Sequence, residues 1–149
     1  MSVFLMMAAL GERILQKTGA LTEPEWALMR HHTVVGERIV TSSDALADVA
    51  PLVRSSHERW DGGGYPDGLA GEQIPLGARI ISVSSAYQAM TSDRPSRKAM
   101  SAEVALAELR AGAGTHFDPD VVAAFLRLRS RSHEAVILSE QLDASSPAD

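Results

Sequence analysis

Three groups of side chains in this sequence could do chemistry: its histidines, a short cationic run, and one aromatic, glycine-rich stretch. The stretch is HERWDGGGYPDG, residues 57–68, where four glycines and a proline sit beside a tryptophan, a tyrosine and a histidine. Glycine lets the backbone turn where side chains would clash, and Pro66 restrains the exit from the turn. The cationic run is TSDRPSRK, residues 91–98, with three cations against one carboxylate; a small anionic ligand could meet it. Of the histidines, His31 and His32 lie about 100° apart around a helix and do not converge on one ion. His32 can sit at the polar boundary of a helix, and His57 can cap a helix carboxyl end. His116 and His133 have no identifiable partner and read as surface residues. Arg127, Arg129 and Arg131 read as the solvated face of a terminal helix.

The elements that position these residues come from an ordinary globular composition. The chain has 149 residues, 45% apolar and 22% charged, enough for one domain with a real core. It has no cysteine, so neither a disulfide framework nor a thiolate metal site is open to it, and the expected location is cytoplasmic. A net charge of −5 argues against a protein that coats DNA or RNA, and no nucleic-acid polymer is expected as partner. SVFLMMAAL, residues 2–10, is about half the length of a membrane span and lacks the basic flank of a signal peptide. It reads as a buried first helix, and no membrane association is expected.

Apolar residues recur at helical spacing over the first sixteen positions, closed by Gly19. In LTEPEW, Thr22 can cap a helix, Pro24 suits its first turn, and Glu23 and Glu25 favour the positive end of its dipole. That helix runs to His31 and His32, and VVGERIV continues it after a bend. Pro51 opens a short helix through Leu52 and Val53 to His57. The glycine loop then runs to about Pro75. LGARIISVSSAYQAMTS has Ile80, Val83, Tyr87 and Met90 at helical spacing with further apolar residues between, and predicts a central helix buried on most sides. SAEVALAELR starts at Ser101 with Val104 as a poor fourth member of a capping box, and stops at Gly112 and Gly114. FDPDVVAAFLRLR is a helix with Asp118 as cap and Pro119 first. Residues 1–138 are expected to form one domain and 139–149 a disordered polar tail. No internal repeat or sheet-length alternation occurs, so the expected class is all-α.

HERWDGGGYPDGL, followed by GEQIPLGARI, TSDRPSR and GAGTHFDPDVV, resembles the HD-GYP family of cyclic-di-GMP phosphodiesterases, from about Gly11 to Leu128. The resemblance implies an HD-superfamily helical bundle carrying a Gly-rich GYP loop. It also implies chemistry at a cluster of two or three metal ions, often iron or manganese, held by histidines and carboxylates. Such ions generate a hydroxide at neutral pH and neutralise the phosphodiester it attacks. Laid against the family residue by residue, the His-Asp pair expected about nine positions before Glu12 falls on Val3 and Phe4, and the lysine after it on Met7. Of the two adjacent histidines expected before the glutamate, the first falls on Ser56 and the second on His57. The aspartate of the central helix falls on Ser85, and one a turn later on Gln88.

The resemblance therefore leaves His32 and His57 as residual, weak metal ligands and no catalytic residue. Metal is expected to be absent or loosely held, and the chain is expected to be a truncated or degenerate, inactive member lacking the His-Asp pair. The Gly64–Tyr65–Pro66 element is intact. Tyr65 can stack on a guanine base or bond to a phosphate. The family positions of Arg94 and Arg97 contact dinucleotide phosphates, to which guanidinium offers a planar fork. The partners implied are cyclic-di-GMP, or a diguanylate-cyclase-type domain docked through the loop, and a homodimer. A purely structural use of the loop, with Trp60 covering the core and Asp61 capping the turn, stands beside this, as do an active phosphodiesterase and a decayed fragment.

Overall fold

The computed structural model describes residues 17, 19–93 and 98–144, with side chains through residue 131. The helix expected over the first sixteen positions lies outside these residues, as do Val3, Phe4, Met7, Arg94 and Arg97.

The fold is all-α. In chain order it comprises α1 (Glu23–Thr41), a 3-10 turn (Asp44–Val49), α2 (Ala50–Arg54), a second 3-10 turn (Gly71–Gln73), α3 (Leu76–Thr91), α4 (Ala102–Ala111) and α5 (Pro119–Ala144). Among the described residues the only extended pairing is an isolated bridge between Ala113 and Phe117. No helix among them is long and apolar enough to cross a membrane.

The helix starts follow from local chemistry. At α1 the Glu25 carboxylate reaches back to accept from the Thr22 amide at 2.7 Å and its hydroxyl at 2.9 Å. At α4 the Ser101 hydroxyl accepts the Val104 amide at 3.4 Å. At α5, Asp118 Oδ1 accepts from the Asp120 and Val121 amides at 2.8 and 3.3 Å. Each satisfies main-chain donors that a first turn leaves without partners.

Three boundaries differ from expectation. α1 runs unbroken through VVGERIV, since Gly36 is buried on its packed face and nothing there interrupts the backbone ladder. α2 stops at Arg54, three residues before His57, so His57 belongs to the turn that enters the loop. α5 continues to Ala144, past the point where composition turns polar.

The core lies between α3, α4 and α5, where Val83, Leu109 and Val122 are buried and Tyr87, Met90, Phe117 and Phe125 pack around them. α1 lies along α2 and the first 3-10 turn, and α2 touches α3. That last contact depends on Gly77, where a Cβ would stand 2.8 Å from Leu52 Cδ1. The expectation that α3 is buried on most sides is corrected. Only Ala78 and Val83 are buried, while Leu76, Ile80 and Ile81 are 55%, 47% and 39% exposed. Ile80, the first of the helically spaced positions, faces outward together with Leu76 and Ile81 because the described helices cover one side of α3 alone.

Candidate functional site

The loop after α2 brings three rings together. His32, buried on α1, meets the His57 ring edge-to-face at 5.0 Å. Tyr65 stacks on His57 at 5.2 Å with 10° between the planes, and its centroid is 6.3 Å from that of His32. The Tyr65 amide also donates to the His57 carbonyl at 3.1 Å. His32 Nδ1 donates to the Met29 carbonyl one turn back, which leaves its Nε2 as the nitrogen able to bind something else. His31, one position earlier, is exposed, as the helical geometry requires.

By accessible area His57 is exposed, yet the His32 and Tyr65 rings crowd its imidazole. That crowding, then the His32 imidazole, push its pKa down to about 4. Burial raises the Tyr65 hydroxyl above its ordinary value, with Arg30 opposing.

Glu58, 3% exposed, follows directly. Its Oε1 accepts from the Asp67 and Gly68 amides at 2.7 and 3.1 Å, and its Oε2 from Leu69 at 3.0 Å. Gly64 lies so close that a Cβ there would fall 2.4 Å from the Arg59 nitrogen and 2.5 Å from Glu58 Cα. The Tyr65–Pro66 peptide is cis.

Arg54 grips the far side of the loop, with Nε and Nη2 on the two Asp67 oxygens at 2.6 and 2.7 Å and Nη1 on Glu37 of α1 at 2.7 Å. Such a forked pair fixes orientation as well as distance. Arg59 clamps Asp61 at 2.9 and 2.6 Å, and Asp61 accepts the Gly63 amide at 2.9 Å. Asp61 thus caps the turn. The Trp60 and Asp61 amides donate to the His116 and Thr115 carbonyls. Arg79 of α3 lies over the half-buried Trp60 ring at 5.8 Å and pairs with Asp118 at 2.7 Å.

His116 is exposed, as expected, but it does have partners. Its Nδ1 lies 3.0 Å from Arg59 Nη1 and its ring 5.1 Å from that of Phe117, because the loop folds back onto the α4–α5 connection. Arg127, Arg129 and Arg131 are exposed, with Arg129 placed over Tyr87 at 5.0 Å and on its hydroxyl at 3.1 Å. The His133 side chain lies outside the described residues.

His32 and His57 could share one ion, but among the described residues no group of three or more histidines and carboxylates could hold a metal. Ser85 and Gln88 are exposed on α3, and the Ser56 hydroxyl donates to the Val53 carbonyl at 2.8 Å. Glu12 is the one histidine or carboxylate among residues 1–22. The described residues therefore do not fit a carboxylate-bridged pair of ions.

Sequence reasoning singled out His32, His57 and the Gly64–Tyr65–Pro66 turn, and the structure brings His32, His57 and Tyr65 into contact. It passed over Glu58, Arg54 and the Arg59–His116 contact. An acid placed directly between a histidine and a glycine-rich turn was the one available signal for Glu58.

The HD domain family matches residues 5–121. The chain is 42% identical to a cyclic di-GMP phosphodiesterase response regulator of Xanthomonas campestris pv. campestris, over 83% of this chain and 33% of that protein. It is 40% identical to a cyclic di-GMP phosphodiesterase of Thermotoga maritima, over 78% and 32%. A 3'3'-cGAMP-specific phosphodiesterase of Vibrio cholerae is 36% identical, over 79% and 23%. The chain spans about a third or less of the length of these relatives. A solved cyclic GMP-AMP specific phosphodiesterase from V. cholerae shares the fold, with a TM-score of 0.58 at 22% identity over 84% of this chain and 33% of that one.

Proposed function

The chain belongs to the HD domain family, in its HD-GYP branch, and from that premise we propose that it is a non-catalytic member that binds a cyclic dinucleotide beside its Gly-Tyr-Pro loop. The carrying observation is the contrast between an organised loop and an incomplete ligand set. Tyr65 stands stacked on His57, while serines occupy positions 56 and 85. Relatives named for cyclic di-GMP and for 3'3'-cGAMP support a cyclic dinucleotide as the ligand class and nucleotide signalling as the setting; a cytoplasmic location is part of the same proposal. Arg94 and Arg97 supply the phosphate contacts in this reading. Without bound cations to neutralise the phosphates, affinity is on the order of micromolar or weaker, about −8 kcal/mol or less favourable, and falls with added salt.

Calorimetry with cyclic di-GMP tests this. Wild type should bind weakly, and Arg94→Ala with Arg97→Ala should abolish the heat. Equal binding by wild type and double variant would remove the nucleotide reading and leave the loop as a protein-docking surface, a diguanylate-cyclase-type domain being the partner to test.

A second reading, an active metal-dependent phosphodiesterase, is favoured by the 42% identity to a protein so named. Incubation of pure protein with cyclic di-GMP and manganese or iron(II) separates the two. We expect no linear dinucleotide above a buffer control, and elemental analysis showing well under one tightly held transition metal per chain. Ser85→Asp with Ser56→His should raise metal uptake without restoring full activity.

A further inference from the structure

We propose that Glu58 is the positioning residue of the Gly-Tyr-Pro loop, holding Tyr65 against His57 by gathering three consecutive main-chain amides onto one buried carboxylate. A loop with four glycines in twelve residues has many conformations open to it, so something must select one. Short-range turns do part of this. The Gly62 amide donates to the Arg59 carbonyl and the Tyr65 amide to His57, but both act before Pro66. Beyond Pro66 the amides of Asp67, Gly68 and Leu69 converge on Glu58 at 2.7, 3.1 and 3.0 Å. Successive amides turned toward one anion form a concave cradle, here filled by the protein's own side chain. Gly68 adopts a φ of 68° inside it.

Glu58 can take this role because its own backbone is fixed. Its amide donates to the carbonyl of Ser55 at 3.1 Å, and both residues are buried. His57 carries the ring that Tyr65 stacks on, and Glu58 carries the carboxylate that ties the chain three residues beyond Tyr65. One dipeptide therefore supplies both the surface the tyrosine rests on and the tether that keeps it there. An acceptor at this point also meets all three amides at once.

The effect on ligand binding rests on the reading given above; the effect on the loop does not, and the experiment keeps them apart. Glu58→Gln preserves shape but turns one acceptor oxygen into an N–H donor facing an amide, so at least one of the three bonds is lost. Amide hydrogen exchange at residues 67–69 and the ring-proton shifts of His57 are read by NMR on the ligand-free chain. Cyclic di-GMP affinity is read by calorimetry. The control is Ser101→Ala, which weakens the start of α4 without touching the loop. We expect Glu58→Gln to speed exchange at 67–69 at least tenfold, to move the His57 shifts toward solvent-exposed values and to weaken binding at least tenfold. Ser101→Ala should lower the melting temperature while leaving all three unchanged. Unchanged exchange and His57 shifts in Glu58→Gln overturn the proposal, as does the same loop response from Ser101→Ala. Loop disorder in Glu58→Gln without any dinucleotide binding by wild type upholds the positioning role and rejects the nucleotide reading. Should Glu58→Gln not fold, wild-type exchange decides: protection at residues 67–69 supports the tether, and exchange at the rate of an open loop rejects it.

Discussion

At the scale of single residues, the loop tolerates change very unevenly. Gly64 faces main chain at 2.4–2.7 Å from where a Cβ would stand, whereas at Gly63 the nearest atom is a carboxylate oxygen of Asp61 at 3.1 Å. Backbone cannot give way as a side chain can. Gly64→Ala should therefore cost about 1–3 kcal/mol or more and Gly63→Ala much less, a difference that urea denaturation resolves. Acid should act on the same loop. Hydrogen bonds from Arg59, helped by the Gly63 amide, hold the Asp61 carboxyl well below its ordinary value of 3.8. A carboxyl depressed in the folded state stabilises that state fully above its ordinary value, and the gain is lost as pH falls below it. Trp60 fluorescence should change below about pH 4 in wild type and much less in Asp61→Asn; an identical profile in both would discount the clamp. His32, His57 and Tyr65 were legible as candidates because each is an unusual residue type in a recognisable motif. The partners of Glu58, Arg54 and His116 were not. Those contacts join residues 9, 13 and 57 positions apart, and no local pattern encodes them.

At the scale of elements, starts were legible and burial was not. Glu25, Ser101 and Asp118 accept from amides within three residues of themselves, so their roles can be read along the chain. How much of α3 is covered depends on which helices lie across it, and periodicity alone does not carry that. Asp118 joins both kinds of information, since it caps α5 and pairs with Arg79 of α3. Its side chain is 3% exposed and that of Arg79 17%, and Arg79 Nε is buried without a hydrogen-bond partner. Asp118→Ala should thus cost about 3 kcal/mol, because it removes a cap and strands a largely buried cation. Asp118→Asn keeps an acceptor for the α5 amides but not the charge. A thermal melt in which Ala and Asn behave alike would mean that the cap contributes nothing.

At the scale of the whole molecule, the outward face of α3 is the place to test for association. Leu76, Ile80 and Ile81 of that helix are all exposed, and exposed apolar residues gathered on one helix favour contact with another chain. Light scattering should find a dimer or larger species at high concentration, and Ile80→Gln with Ile81→Gln should shift it toward monomer. A monodisperse wild-type monomer would reject this. The loop has a different consequence at this scale. One end is tied by Arg54 and Asp67 to α1 and α2, and its middle is bonded to residues 115 and 116 between α4 and α5. It therefore works as a keystone between two helical groups that, among the described residues, meet directly mainly where α2 touches α3. With it in place, heating should melt the molecule in a single step. With Gly64 or Glu58 replaced, the α3–α5 group should outlast α1 and α2, and calorimetric scans should separate into two transitions.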